Sequence, residues 1–167
     1  MTPISKTLLV VAALAVSACS NPDRFGMGGG GAGGAYGANG AVSDPTSPAY
    51  FQQTVGDRVL FAVDESTISE TARVTLEAQA RWLMDNAEYA AIIEGHADEQ
   101  GTREYNLALG ARRANAVQEY LVSRGVSPAR LRTVSYGKER PLEICSAEAC
   151  YAKNRRAVTV VTAGASS

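Results

Sequence analysis

Glu94-Gly95-His96-Ala97-Asp98-Glu99-Gln100-Gly101-Thr102-Arg103-Glu104-Tyr105-Asn106-Leu107-Ala108-Leu109-Gly110-Ala111-Arg112-Arg113 is the stretch around which the rest of the chain is arranged. It begins where the apolar run Ala90-Ala91-Ile92-Ile93 gives way to charge, passes a turn at Gly101 and enters a helical pattern. Polar side chains therefore gather where a strand ends and a helix begins. Asn106 and Arg113 are seven positions apart, nearly two helical turns, which sets them on one helix face about 10 Å apart along the axis. Asp98, just beyond the strand, completes the set. An acid, an amide and a guanidinium converging there suit a ligand that carries both a cation and a carboxylate. A plain strand-to-helix salt bridge between Asp98 and Arg113 accounts for the same two residues without a ligand.

Outward from this stretch the chain alternates strand and helix signals. Upstream, Val59-Leu60-Phe61-Ala62-Val63 is an apolar run of strand length closed by Asp64-Glu65-Ser66. Ser69 is placed to cap a helix with Glu70 in its first turn, Ala72, Leu76, Ala80 and Leu83 as its apolar stripe and Asp85-Asn86 at its end. Trp82 reads as a packing residue. Tyr89 to Gly95 is the next strand. Downstream, Leu107, Ala111, Ala114, Val117 and Leu121 recur at helical spacing, with Asn106, Arg112 and Arg113 off that stripe and Gly125 at the C′ position. Ser127-Pro128 restarts the chain into a strand from Leu131 to Tyr136, and a short helix near Ala147 to Lys153 precedes a last strand, Ala157 to Val161. The class is α/β, one sheet against one helical layer, with the folded domain over residues 55–163.

At 167 residues, 46% hydrophobic and 20% charged, the chain has room for one such domain and some extra segments. Residues 1–18 carry one charged side chain, Lys6, then an apolar run from Thr7 to Val16 too short to span a bilayer, the layout of a secretory signal. Its removal leaves 15 Lys+Arg against 17 Asp+Glu. No basic run or aromatic-studded basic face suggests nucleic acid. Residues 19–54 include the run Gly26-Met27-Gly28-Gly29-Gly30-Gly31-Ala32-Gly33-Gly34 and read as a flexible tether. In an exported, oxidising setting Cys145 and Cys150 read as a small disulfide loop. With His96 the only histidine, a metal site has too few ligands, and no cofactor is expected. His96, Asp98 and Glu99 are the residue types hydrolytic sites use, but neither G-x-S-x-G nor H-E-x-x-H is present, so no enzyme is expected.

Several spaced motifs in one order carry a family resemblance: Glu94 to Thr102, Glu104-Tyr105-Asn106, Arg112-Arg113-Ala114, Val134 to Pro141, and Tyr151 to Ala157. Together they resemble the peptidoglycan-associated lipoproteins, the Pal family, within the wider OmpA-like domain family. Val16-Ser17-Ala18-Cys19 looks like a lipobox, which implies lipidation of Cys19. Ser20 and Asn21 after it imply the outer membrane, with the domain facing the periplasm. The resemblance implies an OmpA-like β-α-β-α-β(-α-β) two-layer sandwich, a mixed sheet with helices on one face. It also implies non-covalent binding of peptidoglycan stem peptide through meso-diaminopimelate, whose side-chain end is a zwitterion. Asp98 would accept from the ammonium and Arg113 would take the carboxylate, so that alanine at either position would spare the fold and abolish binding. Asn106, Leu107, Val63 and Asp64 would line the pocket, and Tyr136 and Asn154-Arg155-Arg156 would support or edge it. The implied partners are TolB and other Tol proteins, the implied role envelope constriction at cell division. A structural, hydrogen-bonded role is expected for His96.

Overall fold

The computed structural model describes residues 42–163. The expected signal sequence, Cys19 and the glycine-rich run lie outside the described residues. Ordered packing begins earlier than position 55. A short helix, α1 (Pro48–Tyr50), continues into a wider π turn (Phe51–Gly56). Ser47 caps α1, its Oγ accepting from Tyr50 N at 3.1 Å, with Pro48 in the first turn where its missing N–H costs nothing. Phe51 is buried against the Trp82 ring at 4.8 Å, and Trp82 Nε1 donates to Pro45 O at 2.7 Å. The expected tether boundary at residue 54 thus falls inside a packed helical segment.

Strand β1 (Arg58–Leu60) leads to helix α2 (Glu70–Asp85), strand β2 (Tyr89–His96), helix α3 (Arg103–Ser123), a 3₁₀ turn (Pro128–Arg130) and strand β3 (Leu131–Gly137). Helix α4 (Glu148–Asn154) and strand β4 (Arg156–Ala163) close the fold. The sheet order is β1-β4-β2-β3; β4 runs antiparallel to β1 and β2, while β2 and β3 are parallel. The α/β class and mixed sheet match the expectation. Strand alternation turns Ala91, Ile93 and Ala157 toward Leu76, Ala80 and Leu83 of α2 and Ala114, Val117 and Leu121 of α3, which together form the core.

Two expected elements differ. β1 ends at Leu60 rather than Val63: Phe61 N still donates to Arg155 O at 2.9 Å, but Val63 is 53% exposed and Asp64 has a left-handed φ of 56°. The chain therefore turns out of the sheet where apolar composition suggested it would continue. The buried face of α3 is Asn106, Leu109, Gly110, Arg113, Ala114, Val117 and Leu121. Leu107, counted on the expected stripe, is 49% exposed, and Asn106 and Arg113, expected off it, point inward. Close approach of α3 to β2 explains Gly110: a Cβ on Gly95 would lie 1.8 Å from Gly110 O, so only paired glycines allow the helix to pack this near.

Candidate ligand site at the end of the sheet

Three connections converge at the C-terminal end of β2: the loop after β1, the turn from β2 into α3, and the segment from β3 to β4. A β-bulge at Gly95/His96 marks the point where pairing with β3 slips before the chain leaves the sheet. Thr102 then caps α3, its Oγ1 accepting from Tyr105 N at 3.2 Å.

Arg113 is the largest fully buried side chain among the described residues, at 0% exposure. Its Nε donates to Glu65 O at 2.8 Å, Nη1 to His96 O at 2.8 Å and Nη2 to Ala62 O at 3.0 Å. One guanidinium thus ties the loop after β1 to the end of β2 and leaves two of its five N–H donors. Burial pulls its pKa down to about 10; the Asp98 charge opposes this, Arg155 adds to it, and Asp64 opposes it. Among the described residues no carboxylate forms an ion pair with Arg113, so the expected alternative of a mutual Asp98–Arg113 bridge is absent.

Asp98 is 7% exposed and is held by other groups. Its Oδ1 accepts from Gln100 N at 3.1 Å, an Asx-type turn, and its Oδ2 accepts from Arg155 Nη1 at 3.2 Å. Arg155 also donates to Phe61 O at 3.2 Å and pairs with Glu148. Asn106, also buried, donates from Nδ2 to Gln100 O at 2.8 Å and so fixes the turn that carries Asp98. Tyr105 OH donates to Asp64 Oδ1 at 3.2 Å across the outer surface. Val63 and Leu107 present exposed apolar edges beside these groups. Of the six residues expected at the site, Asp98, Asn106 and Arg113 form its buried floor, while Val63, Asp64 and Leu107 belong to its exposed surroundings. Arg155, expected only at the edge, is the direct partner of Asp98. Its donors reach Asp98 across 57 residues of sequence, a separation no local periodicity reveals.

Cys145 and Cys150 are joined, as expected, with Cα atoms 6.0 Å apart. His96 departs from expectation: both ring nitrogens are buried without a hydrogen-bond partner. The nearest carboxylate, Glu94 Oε2, lies 3.6 Å from Nε2, and the ring sits 5.5 Å from that of Tyr136. Burial, then the charges of Arg156 and Arg140, pull its pKa down to about 4. The unfolded chain takes up this proton near pH 6.5, whereas the folded domain resists it until about 4. Stability is therefore expected to be intact above pH 6.5 and to fall through that interval, by at most about 1.4 kcal/mol per pH unit for one proton. Thermal denaturation at a series of pH values measures this; His96→Phe should flatten the slope, and an unchanged slope would assign it to other groups.

The OmpA family model matches residues 60–155, and the chain belongs to the OmpA family. Its similarity to named relatives extends well beyond that domain. The peptidoglycan-associated lipoprotein of Mesorhizobium japonicum is 45% identical over 165 residues, covering 95% of this chain and 92% of that protein. That of Brucella melitensis is 47% identical over 166 residues, covering 95% and 91%. The crystal structure of the peptidoglycan-associated lipoprotein from Burkholderia pseudomallei superposes with a TM-score of 0.65 at 37% identity, covering 72% of this chain and 98% of that one. The C-terminal domain of Helicobacter pylori MotB shares the fold, with a TM-score of 0.60 at 22% identity. Within the OmpA family the chain stands among the peptidoglycan-associated lipoproteins.

Proposed function

We propose that this chain is a lipoprotein of the outer membrane, lipidated at Cys19, whose periplasmic domain binds the peptidoglycan stem peptide non-covalently and so fastens the membrane to the wall. The observation that carries this is the pair of fixed, opposite charges at the end of β2. Arg113 is a buried cation whose hydrogen bonds among the described residues go to three carbonyls, with the Phe61 ring 5.2 Å away and two N–H donors left, and Asp98 is a buried carboxylate set in a turn nearby and paired with Arg155. A meso-diaminopimelate side chain offers an ammonium and a carboxylate on one carbon, the complement of such a pair. Asp98 accepts from the ammonium. The remaining Arg113 donors take the carboxylate, and Asn106 supports the turn. Leu107, Val63 and Asp64 edge the ligand. The names of the relatives favour the same ligand.

Binding of TolB and other Tol proteins, with a part in constriction at division, belongs to the same proposal and rests on the family resemblance. The test is co-sedimentation of the purified domain with peptidoglycan sacculi, in competition with free meso-diaminopimelate and, separately, with cadaverine. Diaminopimelate should release the domain and cadaverine, which has ammonium groups but no carboxylate beside them, should not. Retention in the presence of excess diaminopimelate would exclude this site as the point of attachment. Added TolB should also release the domain if the two share one face.

A further inference from the structure

The segment joining β3 to β4 closes on the site through groups that the proposed binding does not use. The Cys145–Cys150 disulfide brackets Ser146 and Glu148. Ser146 Oγ and, just past the bridge, Tyr151 OH both donate to Glu99 Oε1, at 3.2 and 2.9 Å. Glu148, the first residue of α4, pairs with Arg155 through Nη2, and its Oε2 lies 3.4 Å from the same Nη1 that donates to Asp98. Arg155 is 6% exposed at the side chain, whereas Glu148 is 65% exposed. A buried cation thus lies between one buried carboxylate and one exposed carboxylate.

An Asp98–Arg155 pair alone is electrically neutral and offers little net attraction to an arriving ammonium. Arg155 would also repel that ammonium at close range. Glu148 changes the balance at this end of the site, because one cation between two carboxylates leaves a net negative charge. It also gives Arg155 a second acceptor toward which it can lean when Asp98 turns to a new donor. Glu99 keeps its charge while accepting from two hydroxyls, but among the described residues the carboxylates that pair with Arg155 are Asp98 and Glu148, so Glu148 is the one that competes with Asp98 for that guanidinium. Lys138 Nζ donates to Gly101 O at 2.7 Å and Arg113 to its own carbonyls.

We propose that Glu148, held against Arg155 by the Cys145–Cys150 bridge, is a specificity-determining residue for the cationic end of the ligand, keeping the Asp98 charge available to an ammonium. This rests on the peptidoglycan function proposed above. The geometry is supported by the Glu148 carboxyl itself, which its hydrogen bond from Arg155 holds below the usual carboxylate range.

The experiment uses the chain with its bridge intact and after reduction by dithiothreitol, which is oxidised to its cyclic disulfide as Cys145 and Cys150 become thiols. Binding of free meso-diaminopimelate is measured by calorimetry at low and high salt. Glu148→Gln should weaken binding by roughly three- to tenfold at low salt, with the difference shrinking at high salt, as a partly exposed charge requires. Glu148→Asp should recover part of the loss. Reduction should act in the same direction and add little to Glu148→Gln, since both remove one interaction. An NMR titration should find the Glu148 carboxyl below its ordinary range, returning toward it on reduction. Equal affinity for Glu148→Gln and the unaltered chain at both salt levels would overturn the proposal, as would a Glu148 titration indifferent to reduction. Failure of the unaltered chain to bind diaminopimelate at all would instead remove the peptidoglycan function and with it the ligand named here.

Discussion

Arg113→Ala is expected to lower the stability of the domain by about 3–5 kcal/mol, a large part of what a domain of this size possesses. The side chain is fully buried, and three backbone carbonyls at Glu65, His96 and Ala62 depend on it. Alanine leaves a cavity and takes a donor from each of those carbonyls: Glu65 O lies in the loop after β1, His96 O at the very end of β2, and Ala62 O keeps only the bond from Glu65 N at 3.3 Å. Urea denaturation followed by circular dichroism measures the effect. A midpoint close to that of the unaltered chain would mean the guanidinium does not organise the loop. The expectation from sequence, that alanine here spares the fold, is therefore reversed. Loss of wall binding by this variant cannot be read as loss of a ligand contact.

Asp98→Asn isolates the ligand contact better. The amide keeps an oxygen for Gln100 N, and Arg155 retains Glu148 and Phe61 O, so the fold should persist with a modest drop in thermal midpoint. The charge that would hold an ammonium is gone. A hydrogen bond to a charged group contributes about 1.5–3 kcal/mol, so affinity for sacculi should fall roughly 10- to 100-fold. Undiminished co-sedimentation by a folded Asp98→Asn domain would rule out Asp98 as the acceptor for the ammonium.

Sequence pattern reached the regular parts of this fold and faltered where polar groups are buried. Helix α2 announced itself through Ser69 and a clean apolar stripe, β2 through Ala91 and Ile93, and the end of α3 through Gly125, whose φ is 103°. The orientation of α3 is open to error because leucines stand at both 107 and 109, and polarity sets Asn106 and Arg113 off the apolar stripe. They face inward because loop carbonyls far along the chain need donors, 48 and 51 residues away in the case of Glu65 and Ala62. Hydrophobic periodicity carries no trace of such a demand. The segment before Val55 is hidden for a different reason: its Ser47-Pro48 start signal follows a glycine-rich stretch whose composition is that of a tether. Asp98 and Arg113 were found because they sit in motifs, whereas the Arg155–Glu148 pairing needed the path of the chain after Pro141.

Near the start of the described chain Pro45 O accepts from Trp82, whose ring lies 5.2 Å from Tyr89 at the start of β2, while Asp98 sits just past the other end of that strand. Any tension between a membrane anchor and a wall ligand would therefore pull nearly along β2, a span of about 26 Å at the usual rise for eight residues. β2 is flanked by β3 on one side and β4 on the other, so such a pull shears two ladders at once instead of unzipping one bond at a time. On the proposed function, a load between anchor and wall would run in the direction in which a sheet yields least.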